Sequence, residues 1–156
     1  MGFDLSGKGN PEAYFRNSVW YWRPLWRYCE HVAPHIASKV RYGQSNDGDG
    51  LNESDSLALA NALEKEVLAG NTAKIAKAYQ ETLDAIPDIP CNICNGTGQR
   101  KWHAGTDPTW IKHCNGCNAC MGTGKVRPSE TYYPFEEENV KDFIKFLRVC
   151  KGFEIW

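Results

Sequence analysis

Seven cysteines lie in this chain of 156 residues, and four of them fall into one pattern used twice. Cys91-Asn92-Ile93-Cys94-Asn95-Gly96-Thr97-Gly98 and Cys117-Asn118-Ala119-Cys120-Met121-Gly122-Thr123-Gly124 both read Cys-x-x-Cys-x-Gly-x-Gly. Two residues between cysteines let both sulfurs of a turn face one centre. Two such turns supply four thiolates, the closed tetrahedral set that a structural zinc ion takes. The glycines allow the positive φ that a backbone needs to wrap a metal and bring its amides towards sulfur. The expected ligands are Cys91, Cys94, Cys117 and Cys120, and the expected cofactor is one structural Zn2+.

A polar insert separates the two repeats. Within it, Cys114 stands three before Cys117 and makes another Cys-x-x-Cys, so Cys114 is the possible alternative ligand. His103 and His113 lie in the same insert. Only the four cysteines chosen above carry the matching glycine tails, which leaves Cys114 as a spare thiol. Disulfides are the competing use of such a cluster. Met1 to Leu5 lacks the charged-then-apolar layout of a secretory leader, and reduced thiols are the cytosolic default, so the expected location is cytoplasmic.

At these residues the chain resembles the cysteine-rich zinc domain of DnaJ-type chaperones. That family repeats Cys-x-x-Cys-x-Gly-x-Gly four times and builds two zinc sites. The two repeats here imply one site, a zinc-ribbon or DnaJ-like half site on a metal-pinned β-hairpin. The His-Pro-Asp signature of a J domain is absent, so the resemblance implies a metal site and not a co-chaperone activity. A second resemblance covers most of the chain. Tyr14 to Trp26, Asn46-Asp47-Gly48-Asp49-Gly50-Leu51 and Gly152-Phe153-Glu154-Ile155-Trp156 look like segments of small proteins encoded by bacteriophages and bacteria. It carries no activity across, and implies a bacterial cytoplasm and an accessory phage or host role.

The elements that position the cysteines follow from periodicity. Residues 1–13, rich in Gly, Asn and Pro, read as an irregular arm. Tyr14 to Tyr28 holds seven aromatics interleaved with Arg16, Arg23 and Arg27. Pro24 fits a first helical position, and Leu25, Cys29, Val32 and Ile36 continue a stripe that Pro34 interrupts. Trp20, Trp22 and Trp26 have two readings. One is core, because large aromatics dominate burial. The other is a binding surface made of Arg16, Trp20, Trp22, Arg23, Trp26 and Arg27, flanking an anionic or aromatic group.

The loop from Gly43 to Asn52 places Asp47 and Asp49 like calcium ligands. It offers Ser56 where a bidentate Glu is needed, so it reads as a turn. Asn52 or Ser54 caps a helix through Leu57, Leu63 and Val67, stopped by Gly70. A second helix follows with Ile75, Tyr79, Leu83 and Ile86 on one face, and the short link predicts an antiparallel helical hairpin. Val126 to Pro134 reads as extended. Glu136, Glu137 and Glu138 open a last helix with Val140, Phe143, Ile144 and Leu147 on its apolar face, and Gly152 stops it. The apolar tail Phe153 to Trp156 is expected to dock.

The expected fold is mainly α: one small helical domain with an inserted zinc-pinned hairpin. Residues 1–90 form the aromatic-rich segment and the helical hairpin, 91–127 the zinc-binding insert, and 128–156 a helix packing back on the body.

Net charge is −1, with basic N-terminal and cysteine-rich segments around an acidic middle. No apolar run of about eighteen residues exists, which excludes a helical membrane span. Phosphate loops, dinucleotide fingerprints and the nucleophile elbow are missing. Four thiolates leave a zinc ion no open position for water. The expectation is therefore a non-enzymatic zinc-binding accessory protein with a protein partner. The alternative is nucleic-acid or nucleotide binding through residues 14–28 and the basic cysteine-rich segment.

Overall fold

The computed structural model describes residues 2–100 and 116–156. Two compact units divide them, one made of Met1–Thr82 and Tyr133–Trp156, the other of Leu83–Tyr132.

The first unit is mixed α/β: its helices match the expected mainly α character, and a sheet that was not expected lies among them. Strand β1 is Gly2–Gly7, β2 is Tyr14–Ser18, β3 is Gly50–Leu51 and β6 is Phe153–Ile155. They form one antiparallel sheet in the order β2-β1-β6-β3. The expected irregular arm is thus strand β1. Its Phe3 and Leu5 alternate inward, a period-two pattern diluted by two glycines and completed only by partners far along the chain. Leu5 pairs with Ile155 and Asp4 with Arg16. The apolar tail docks as expected, as a central strand of this sheet.

Helix α1 spans Val19–Val32, and α2, Pro34–Ala37, starts on Pro34. Pro24 sits inside α1, not at its first position. Proline costs a helix interior one amide donor, and here Pro24 is buried within the apolar face that Trp22, Leu25, Trp26 and Cys29 also form. Helix α3 is Glu53–Leu68, capped by Asn52, whose side-chain oxygen accepts the Asp55 amide at 2.8 Å. Helix α4 is Asn71–Ala85, and α5 is Glu137–Val149.

The core is aromatic at its centre. Trp22 stacks between Phe3 (5.4 Å) and Trp26 (5.5 Å) and meets the edge of Phe143 at 5.7 Å. Its indole N–H donates to the Gly43 carbonyl at 2.8 Å, so its one polar atom is satisfied inside. Helix α3 turns Leu59, Ala60 and Leu63 into the core and lies along α5. The expected antiparallel pairing of α3 with α4 does not form. The apolar face of α3 is taken by α5, while α4 turns Ala76 and Tyr79 to the core and its Thr72 bonds the Tyr28 hydroxyl at 2.8 Å.

The loop from Gly43 to Gly50 is a turn. Asp49 accepts the amides of Tyr42 and Gly50, spending its carboxylate on backbone. No helix among the described residues is long and apolar enough to cross a membrane.

Candidate metal centre

The second unit holds a two-stranded antiparallel ladder. Strand β4, Ile89–Pro90, pairs with β5, Lys125–Val126. The two cysteine motifs extend from it, and they are built alike. In the first, the Gly96 amide donates to Cys91 O (3.0 Å) and the Thr97 amide to Cys94 O (3.1 Å). In the second, Gly122 donates to Cys117 O (3.1 Å) and Thr123 to Cys120 O (3.0 Å). Thr97 and Thr123 each donate their hydroxyl to the second cysteine's carbonyl, both at 2.7 Å. The motifs also bind each other reciprocally. Cys91 N–H donates to Gly124 O at 2.8 Å, and Cys117 N–H to Gly98 O at 2.9 Å.

This reciprocity explains two of the glycines. A Cβ on Gly98 would meet the Gly122 carbonyl oxygen at 2.3 Å, and one on Gly124 would meet Gly96 O at the same 2.3 Å. Both residues have positive φ, 73° and 77°. The two turns therefore approach backbone to backbone, which only glycine permits.

The result is a buried cluster of Cys91, Cys94, Cys117 and Cys120 whose sulfurs all lie within 4.8 Å of one another. Cys91 and Cys117 sulfurs are 4.0 Å apart, Cys94 and Cys120 sulfurs 3.7 Å. Zinc–sulfur bonds of about 2.3 Å make the edge of a tetrahedron roughly 3.8 Å, so the donor set suits a tetrahedral ion. The sulfurs are prepared for negative charge as well. The Gly98 amide points at Cys94 Sγ (3.2 Å) and the Gly124 amide at Cys120 Sγ (3.3 Å). Burial pushes the Cys117 thiol up, against the amides of Cys120 and Ala119. At Cys120 burial acts the same way, but the amides of Gly124 and Gly122 and the neighbouring sulfurs of Cys117 and Cys94 outweigh it and hold the thiol down at about 7. A thiolate is the form that binds metal.

Cys114, His103 and His113 lie outside the described residues. Sequence reasoning did not assign roles to Thr97, Thr123 or Arg127. The threonines were signalled by their equivalent places in the two repeats. Arg127 had no such signal. Its guanidinium donates to the Leu83 (2.7 Å) and Ile86 (2.6 Å) carbonyls, in the last turn of α4 and just past it, where Leu83 also accepts the Ile86 amide at 3.2 Å.

The candidate binding surface on residues 14–28 is dispersed. Trp22 and Trp26, 0% and 1% exposed, belong to the core. Their positions share the inward face of α1, and the indoles bury more area than any other side chain there. Trp20, 41% exposed, lies against Tyr133 at 4.8 Å, and Arg23 sits over the same ring at 6.0 Å. Arg16 is on β2, 3.6 Å from Asp4. Arg27 is exposed on α1.

Over 80 residues the chain is 32% identical to a protein described as Chaperone protein DnaJ, from Prosthecochloris aestuarii. The match covers 51% of this chain and spans only 18% of that protein's length. No protein-family model matches the chain, and no solved structure does. Residues 91–124 resemble a DnaJ-type cysteine-rich zinc segment. The likeness is partial and rests on the cysteine cluster as much as on the identity.

Proposed function

We propose that Cys91, Cys94, Cys117 and Cys120 hold one structural zinc ion that pins the β4–β5 ladder as a hairpin, and that the protein is a non-enzymatic accessory protein of phage or bacterial type acting through a protein partner. The observation that carries the metal reading is the four-sulfur cluster with amides aimed at two of its sulfurs. Four thiolates complete a tetrahedral shell and leave no position for a reacting water, which favours a structural over a catalytic ion. Reduced thiols are the cytosolic condition, which supports a cytoplasmic setting.

The partner reading rests on what the metal-bearing unit leaves outside. Ile93, inside the first motif, is 49% exposed, and Met121, inside the second, is 60% exposed. Both sit on the turns that the ion would rigidify. Apolar groups held on a stiff frame lose little entropy on binding, and methionine adapts to varied surfaces.

Elemental analysis of the purified chain should give about one zinc per molecule, lost in Cys117→Ser. Two zincs, or none with four free thiols, would refute the ligand set. For the partner, Ile93→Ser with Met121→Ser should abolish capture of a host protein while zinc content stays at one. Unchanged capture, or capture that falls steeply with salt as phosphate contacts require, would remove the protein-partner reading.

A further inference from the structure

Helices α1 and α4 leave a pocket of about 370 Å3 in the first unit. Its apolar lining is Pro24, Tyr28, Ile75, Tyr79 and Phe135. Phe135 stands between the two tyrosines, 4.8 Å from Tyr28 in a tilted pair and 6.4 Å from Tyr79 edge-on. The Tyr28 hydroxyl is engaged by Thr72, so Tyr28 contributes ring and not polar tip. Part of the α4 apolar face is uncovered here, with Ile75 exposed on the pocket wall.

The polar lining is Arg27 and His31, one turn apart on α1. Neither makes an ion pair or side-chain hydrogen bond among the described residues. Among the described residues no carboxylate lines the pocket. The carboxylates that act on Tyr28 from nearby are engaged elsewhere: Glu66 accepts from Asn71 at 2.8 Å, and Glu137 pairs with Lys141 at 2.7 Å. An apolar aromatic chamber thus carries a permanently charged, unspent guanidinium with a second donor beside it. Its volume falls at the small end of ligand pockets, roughly 300–1,000 Å3.

We propose that this pocket binds a small aromatic carboxylate, with the ring against Tyr28, Tyr79 and Phe135 and the carboxylate held by Arg27 and His31. The ring preference follows from the three aromatic side chains in the lining, since aromatic pairs stack or meet edge to face. The charge preference follows from Arg27, whose planar fork matches a carboxylate. The site is independent of the cysteine cluster and of the reading given to it.

The test is an NMR titration of the zinc-loaded full chain with naphthalene-2-carboxylate, and in parallel with the neutral naphthalene-2-methanol and the aliphatic decanoate. The acid should shift amides of α1 and α4 saturably, and bind about threefold to fivefold tighter than the alcohol, the gain an exposed charge pair supports. Arg27→Gln should keep the native spectrum and erase the difference between acid and alcohol. Ile75→Trp, a substitution at an exposed position, should fill the pocket and abolish both. No saturable shift at millimolar acid, shifts outside α1 and α4, equal affinity for acid and alcohol in the unaltered chain, or preference for decanoate would each overturn the proposal.

Discussion

At residue scale, the cysteine cluster depends on backbone that carries no chemistry of its own. Gly98→Ala and Gly124→Ala each place a methyl 2.3 Å from a carbonyl oxygen. Each should lower zinc affinity at least tenfold in a chelator competition, the range expected when the groups supporting metal ligands are disturbed. Gly96→Ala also meets positive φ, but its nearest atom is 3.6 Å away, so its loss should be smaller. Equal losses at all three positions would show that φ alone matters and not the close approach. Cys29 makes a different point. Complete burial pushes its thiol well up, with Glu30 adding to the shift. Its unfolded counterpart ionises near pH 8.5. Above that pH the unfolded chain holds fewer protons than the native one, so stability falls as pH rises. Denaturant unfolding between pH 8.5 and 10 should show this decline, and Cys29→Ala should flatten its slope even if the variant is less stable throughout.

At element scale, helix ends decide more than helix interiors. Asn52 both caps α3 through the Asp55 amide and accepts the Ser56 hydroxyl at its own carbonyl, at 2.8 Å in each case. Asn52→Ala should cost about 1 kcal/mol in urea unfolding. An unchanged midpoint would mean the cap contributes nothing. The far end of α4 is held by a side chain from beyond β5. Arg127→Ala should speed amide exchange in the last turn of α4, while Arg127→Lys should restore little, because one ammonium cannot match a fork set on two carbonyls.

At the scale of the molecule, the two units have different sources of stability. The first buries Trp22, Trp26, Phe143, Phe153 and the leucines Leu5, Leu25, Leu51, Leu59, Leu63 and Leu147. Among the described residues of the second, the apolar cluster is the four cysteines with Val126 packed against them. Structural zinc contributes roughly 10–16 kcal/mol in isolated fingers. Chelation should therefore raise hydrogen exchange across residues 83–100 and 116–132 while α5 stays protected and most helical circular dichroism survives. Loss of the entire helical signal would show that one core holds both units.

The local patterns were readable along the chain. The paired cysteine motifs announce their cluster because each half is a tight turn whose ligands are near neighbours. Helices α3 and α5 announce themselves because helix periodicity and caps act within four residues. Tertiary structure decided the rest. Strand β1 takes its partner from the other end of the chain, Leu5 against Ile155, and no local signal encodes such pairing. The same aromatic stretch sends Trp22 and Trp26 inward and Arg27 outward, a division fixed by which side of α1 packs into the core. The direction of α4 was likewise open until α5 occupied the face of α3. Short-range chemistry wrote the motif, and long-range burial chose which of the remaining side chains face solvent.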